Sequence, residues 1–238
     1  MKRIHFFIVI TLLGMALSSC SKDNTASLSR QILGTWKLES SNYVTGNQES
    51  FQFSDGYLYT FKEGGVCIEA FINGKESVKV QCHYSVKDNY LNIGETGYQV
   101  SFQGDKMLLA VGPLISIFTR VFDGNPQNLL IGTWELIHDY KVEFMGSNGD
   151  YSETLYYTFG ETGQCIIGRD GQDDTLECQY NLDNGIMELS NNEYDTVEYL
   201  CIDRLTKDYL EMHSRTTTES SLIGVIRMES TYKGMRIR

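Results

Sequence analysis

Leu33-Gly34-Thr35-Trp36 returns as Ile131-Gly132-Thr133-Trp134, an offset of 98 residues. Tyr59-Thr60-Phe61-Lys62-Glu63-Gly64-Gly65-Val66-Cys67-Ile68 returns as Tyr157-Thr158-Phe159-Gly160-Glu161-Thr162-Gly163-Gln164-Cys165-Ile166 at the same offset. Gln81-Cys82-His83-Tyr84 returns as Glu177-Cys178-Gln179-Tyr180, now at 96. Three blocks in one order make a tandem duplication, and a period this long fits a small domain, not a solenoid unit. The seam between copies is the turn-rich stretch Asp123-Gly124-Asn125-Pro126-Gln127-Asn128.

Each copy reads as strand and turn. Tyr57, Tyr59 and Phe61 alternate with Leu58 and Thr60; Val78, Val80, Cys82, Tyr84 and Val86 alternate with Lys79, Gln81, His83 and Ser85. Alternation of this kind marks strands with one buried face. Turn pairs recur at Asp55-Gly56, Asn73-Gly74, Asp88-Asn89, Gly104-Asp105, Asn148-Gly149, Asp170-Gly171 and Asn184-Gly185. Their frequency, with 2 prolines and 15 tyrosines, points to an all-β fold of two small antiparallel meanders, each closing into a barrel. Short helical turns are expected only near residues 27–33 and 127–131, ahead of each Trp.

The change of offset sets the register. A two-residue turn at Gly171-Gln172 pairs Asp170 with Asp173 and, counting back, Cys165 with Cys178. A four-residue loop from Asn73 to Glu76 pairs Ile72 with Ser77 and Cys67 with Cys82. Directly opposed residues lie within reach of a disulfide. Two intra-domain bridges, Cys67–Cys82 and Cys165–Cys178, are therefore expected in an oxidising compartment, with four buried thiols as the alternative. Each bridge would contribute about 3 kcal/mol by chain entropy. Cys201 has no counterpart in the first copy and reads as a core filler.

Lys2 and Arg3 precede an apolar run from Ile4 to Leu17. The run is shorter than the roughly 20 residues of a membrane-spanning helix and has the flanks of a secretory leader. Its end, Leu17-Ser18-Ser19-Cys20, resembles the lipobox of bacterial lipoproteins, in which the cysteine is acylated and becomes the first mature residue. That resemblance implies a lipid anchor on Cys20 and a place at the outer membrane, periplasmic or surface-exposed. Ser21-Lys22-Asp23-Asn24 matches in part the surface-export signal of some such lipoproteins; a plain polar tether fits equally. The expected division is leader 1–19, lipidated Cys20 with tether to 30, first domain 31–122, linker 123–128, second domain 129–230 and a tail from 231.

The formal charge is -11, and losing Lys2 and Arg3 with the leader takes it to -13. No basic stripe remains to neutralise phosphates, which excludes nucleic acid as a partner. Membrane contact is expected through the lipid alone.

Gly-x-Trp at the start of the first strand, opening a meander, resembles the lipocalin and calycin group, and the resemblance spans nearly all of the mature chain. It implies that Gly34 with Trp36, and Gly132 with Trp134, close one end of each barrel, and that an Arg from the last strand lies over each indole. Arg120, in Ile117-Phe118-Thr119-Arg120-Val121, and Arg227, in Val225-Ile226-Arg227-Met228, hold that place in the sequence. The resemblance further implies a small apolar ligand, although barrels of short strands are also filled by their own side chains.

Chemistry is sparse. His83 falls on the polar face of its strand, and His138 and His213 stand apart in sequence from any cysteine or second histidine; all three read as solvated strand residues. No His-Glu-x-x-His, Gly-x-Ser-x-Gly or phosphate loop is present. Asp170, Asp173 and Asp174 gather at a hairpin tip without the spacing of a calcium loop. Glu69 shares a strand face with Cys67 and Phe71 while the opposite face (Val66, Ile68, Ala70, Ile72) is equally apolar. Which face points inward stays open; an inward Glu69 would be a polar ligand contact.

The chain is thus expected to be a monomeric, non-catalytic, lipid-anchored binding protein without cofactor or metal, holding a small hydrophobic ligand or meeting a surface protein or glycan. The alternative is a filled-barrel module beside a glycan- or nutrient-uptake complex. An enzyme would need convergent polar groups at a barrel mouth.

Overall fold

The computed structural model describes residues 28–43, 50–51, 56–73, 76–144, 147–191, 193, 195–220 and 224–237. The expected leader, Cys20 and most of the expected tether lie outside them. The first repeat comprises β1 (Gly34–Tyr43), β2 (Ser50–Phe51), β3 (Leu58–Lys62), β4 (Val66–Asn73), β5 (Glu76–Lys87), β6 (Tyr90–Ile93), β7 (Thr96–Gln103), β8 (Lys106–Val111) and β9 (Leu114–Arg120). Neighbours in sequence pair antiparallel from β3 to β9, and β1 closes the ring by pairing with both β3 and β9. β2 is a two-residue rung beside the far half of β1.

The second repeat comprises β10 (Gly132–Phe144), β11 (Ser147–Phe159), β12 (Gln164–Arg169), β13 (Thr175–Asp183), β14 (Ile186–Asn191), β15 (Thr196–Leu205), β16 (Tyr209–Ser220) and β17 (Gly224–Arg236), closed by β10–β17 pairing. Both repeats are therefore eight-stranded antiparallel barrels, in tandem.

The turns are built from the residues their geometry demands. Asn184 and Gly185 both have positive φ (53° and 86°) between the paired residues Asp183 and Ile186, the two-residue turn whose twist matches its strands. Side chains alternate between a packed interior and the outside. Trp36, Phe61, Leu91, Met107 and Phe118 fill the first barrel; Trp134, Phe159, Met187, Ile202 and Met212 fill the second. Burying each such side chain contributes about 1.5–3 kcal/mol.

The floors are near-copies. A helical turn at residues 28–31 precedes β1, and a short helix, Pro126–Leu130, precedes β10. Asn125 caps the second, its side chain accepting from the backbone N–H of Gln127 and Asn128. Trp36 Nε1 donates to Ile32 O at 2.8 Å and Trp134 Nε1 to Leu130 O at 2.7 Å. Arg120 lies 4.2 Å over the Trp36 ring and donates to Leu33 O and Gln31 O. Carbonyls left over at the end of a helical turn are thus satisfied by a guanidinium that also faces an indole. Gly34 and Gly132 sit at positive φ beneath this cation; a Cβ there would come within 2.9 and 3.0 Å of the Arg120 and Arg236 guanidinium nitrogens.

The second barrel corrects one expectation. Arg236, not Arg227, lies over Trp134, at 4.6 Å, and donates to Ile131 O and Leu129 O. Arg227 is on the outside at the far end of β17, ion-paired with Glu143 at 3.2 Å, both side chains half-exposed or more. The cause is strand length. β16 and β17 run 12 and 13 residues where β8 and β9 run 6 and 7, so the strand returns to the floor later in the sequence. Residues 231–236, expected as a tail, are accordingly barrel wall. Residues 126–128, expected as linker, are helical.

Both cysteine pairs stand in the expected register, Cys67 opposite Cys82 and Cys165 opposite Cys178. Neither is bridged; Cys67, Cys82, Cys165, Cys178 and Cys201 are thiols. Tyr84 N–H donates to Gly65 O and Tyr180 N–H to Gly163 O. Two residues further on, the cysteines again occupy hydrogen-bonded pairs, with Cα atoms roughly 5.5 Å apart, a separation that a disulfide spans. Burial, together with the facing sulfur, pushes the Cys67 and Cys165 thiols well above their ordinary range.

The barrels share a seam. Leu58 and Ala70 point out of the first barrel, are fully buried, and belong to the apolar cluster of the second, with Ile72 packed alongside. This explains why both faces of β4 are apolar: one lines its own barrel and the other meets its neighbour. Gly185 fits here only as glycine, since a Cβ would lie 2.9 Å from Leu58 Cδ1. Polar ties surround the contact. Arg204 reaches Arg120 O at 2.8 Å and Asp123 at 3.0 Å, Lys79 pairs with Asp183 at 2.8 Å, and Leu205 N–H donates to Val121 O at 2.8 Å.

Candidate functional site

Above the apolar floor of the second barrel lies a layer of titratable side chains. β10 alternates inward through Trp134, Leu136, His138 and Tyr140. His138 stands between Glu153 of β11 and Tyr232 of β17, its partners in register on either side. Its Nδ1 is 3.1 Å from Glu153 Oε1, and Arg169 Nε holds the other carboxylate oxygen at 2.7 Å. The imidazole is sandwiched: Tyr232 stacks at 4.2 Å and 3°, Tyr140 at 4.7 Å and 25°. Tyr151 continues the stack on Tyr140 at 5.0 Å. From the opposite wall, Glu198 of β15 accepts from Ser214 Oγ at 2.9 Å.

Burial pushes the Glu198 carboxyl up, against the pull of Ser214, His138 and Tyr232. Burial and the neighbouring Glu198 likewise push the Tyr232 hydroxyl well above its usual value, and Tyr157 beneath it is raised for the same first reason. His138 Nε2 is buried and has no hydrogen-bond partner among the described residues. With Nδ1–H donated to Glu153, Nε2 presents a lone pair to the interior. An orphaned buried acceptor costs about 1–3 kcal/mol, and a bound donor would recover it. His138 is thus a buried interior residue, not a solvated one. The signal was available: it lies two and four residues beyond Leu136 and Trp134, in phase with both.

The first barrel carries a smaller counterpart, and Glu69 does point inward. It accepts a hydrogen bond from Tyr57; Tyr57 stacks on Phe71 at 6.0 Å and meets Tyr59 edge-on at 5.5 Å. Burial and Glu69 together drive the Tyr57 hydroxyl far above its ordinary value, and burial does the same to Tyr59. Val80, paired with Glu69 and pointing the same way, is 48% exposed, so this end of the barrel opens to solvent.

The other candidates lie elsewhere. His83 is exposed, as are Asp170, Asp173 and Asp174 on the β12–β13 hairpin. His213 is paired with Asp203 at the seam, 2.8 Å apart. Cys201 is buried there, on the face of β15 opposite to Leu200 and Ile202, and so fills the contact between barrels and not a barrel core. Gly34, Trp36, Arg120, Gly132 and Trp134 form the floors. Among the described residues no helix is long and apolar enough to cross a membrane.

No family model matches the chain, and no curated protein matches it. Among solved structures, it is similar to a protein of unknown function from the DUF3598 family of Nostoc punctiforme, at 12% identity and a TM-score of 0.31, over 87% of this chain and 97% of that one. It is also similar to two mutants of the vaccine antigen Transferrin Binding Protein B from Haemophilus parasuis. The first is matched at 7% identity and a TM-score of 0.33, over 76% of this chain and 53% of that one. The second is matched at 9% and 0.32, over 78% and 54%. The chain spans about half the length of that antigen.

Proposed function

We propose that this chain is a lipid-anchored protein of the bacterial outer envelope that carries a small molecule inside its second barrel without transforming it. The observation that carries this reading is His138 Nε2, buried and unpaired in a wall of stacked rings. A fitting ligand places a hydrogen-bond donor, a hydroxyl or an ammonium, against that nitrogen. Its flat or apolar body lies along Tyr140 and Tyr151. Glu198 and Glu153 favour a donor over an acceptor, so the ligand is amphipathic where the family resemblance implied a purely apolar one. The Leu17-Ser18-Ser19-Cys20 sequence supports the anchor; several acyl chains on Cys20 hold a protein to a bilayer where one is marginal.

Native mass spectrometry of the full chain in detergent, before and after denaturing extraction, tests both parts. The expected result is an acyl modification on Cys20 and a released small molecule that is absent from His138→Ala yet retained by Glu69→Ala. A protein that releases nothing and takes up no amphipathic probe overturns the ligand reading.

A second reading rests on the exposed ring of Tyr151 (54% exposed) and on Phe144 at the same barrel's rim. These suit a docking surface for a protein or glycan, and Phe144→Ala would then weaken partner capture while leaving the His138 stack in place.

A further inference from the structure

At the seam, three groups from β15 and β16 converge where the first barrel covers the second. Cys201 is directly opposite His213 in register. The register slips between Ile202 and Arg204, making Asp203 an extra, bulged residue, and bulges commonly re-aim a side chain. Here the Asp203 carboxylate turns onto His213 Nδ1, with oxygens at 3.0 and 2.8 Å. One donor atom from each of Cys201, Asp203 and His213 lies within 4.8 Å of the other two. Cys201 is fully buried, and the Asp203 and His213 side chains are each only 14% exposed. From the first barrel, Gly56 closes over the group: a Cβ at that position would stand 3.4 Å from Cys201 Sγ and 3.7 Å from His213 Nε2. Lys37 of β1 is ion-paired with Asp203 from the same side.

A sulfur, an imidazole and a carboxylate brought together out of water are a donor set that suits zinc, which takes all three ligand types. His213 and Lys37 both stand against the Asp203 carboxylate. Without a metal, the Lys37 ammonium supplies the positive charge that this carboxylate requires. We propose that Cys201, Asp203 and His213 form a divalent-metal site of the zinc type at the seam between the barrels, with a fourth position left for solvent. Binding releases the thiol proton to solvent, and the metal takes over the charge role of Lys37. The site would then tie β15 and β16 together directly beneath the contact with the first barrel.

Cobalt(II) titration of the purified, reduced full chain in detergent tests this, with zinc as competitor. One equivalent of cobalt should bind with the near-ultraviolet absorption of a thiolate–cobalt bond, and zinc should displace it. Cys201→Ala and His213→Ala should weaken binding by more than the ~10–100-fold typical of losing an outer-shell partner, and Cys201→Ala should abolish the thiolate band. Cys67→Ser and Cys165→Ser should leave both unchanged, which separates this site from the other thiols. Lys37→Met, a variant that leaves all three donors in place, should bind more tightly because a competing cation is gone. No thiolate band, a band that survives Cys201→Ala, or a Lys37→Met variant that binds no more tightly overturns the site.

Discussion

At their floors the two barrels are interchangeable: helical turn, Gly-x-Trp, threonine pair and covering arginine recur with almost the same distances. The Thr35–Thr60 hydroxyls lie 3.0 Å apart and the Thr133–Thr158 hydroxyls 3.1 Å. Above the floor they part. β11 runs unbroken for 13 residues along β10, whereas among the described residues the first barrel has the 5 residues of β3 and the two of β2 in that place. The lining diverges with it: a bulge after Leu38 puts Ser41, with Glu69 and Phe71, where the second barrel has His138, Ile167 and Arg169. Duplication has kept the part that closes the barrel and varied the part that lines it, which separates stability from recognition within one small fold.

That separation can be broken or sharpened by substitution. The largest effect is expected at the floors. Trp36→Ala and Trp134→Ala should each cost about 3–5 kcal/mol in denaturant unfolding, and a much smaller loss in one would show that the floors are not equivalent. Next comes the seam. Leu58→Ala should cost about 2–5 kcal/mol and lower the transition of both barrels in calorimetry, since Leu58 lies in the second barrel's cluster; a change confined to the first would mean the seam is only a contact. Arg236→Ala should follow, at about 1.5–3 kcal/mol for its charge-assisted hydrogen bonds, with Arg120→Ala matching it.

A smaller change of opposite sign is expected in the wall. Glu198 has a folded pKa above its unfolded one. Its contribution to stability is therefore complete below about pH 4.3, the unfolded value, and is lost as pH rises through the folded pKa. Glu198→Gln, which can still accept from Ser214, should stabilise the second barrel at pH 7 and flatten its stability profile above pH ~4.3. Thermal melts across pH decide this, and a destabilised variant at neutral pH would mean that the carboxylate is needed ionised. Least of all, Arg227→Ala should lie within ~1 kcal/mol of no effect, as an exposed ion pair does.

Much of the scaffold was legible in the sequence. The repeat located the barrels, and the two turn lengths set the cysteine register correctly in both. The register placed each pair face to face, and the facing residues stand as thiols. Arg227 stands near the end of its copy as Arg120 does, but two lengthened strands move the true counterpart to Arg236. The inner layer is half legible: Glu69 stands out in its strand pattern, while His138, in plain phase with Trp134, is hidden by its isolation in sequence. The convergence of Cys201, Asp203 and His213 was not legible at all, because it depends on a bulge and on a second domain lying over it.

The arginine clasps also bear on how the chain folds. The bond from Arg120 to Leu33 spans 87 residues and that from Arg236 to Ile131 spans 105. Neither ring can close until its last strand has returned to its first, so the entropy of a long loop precedes the reward, and such topologies fold slowly, in milliseconds to seconds. Until then β1 and β10 stand as open edges with unpaired backbone, the form in which a β-protein is most prone to join the wrong neighbour. The first barrel, whose strands all precede the second, can shut on its own and then offer Leu58, Ala70 and Ile72 as a ready surface on which the later strands assemble.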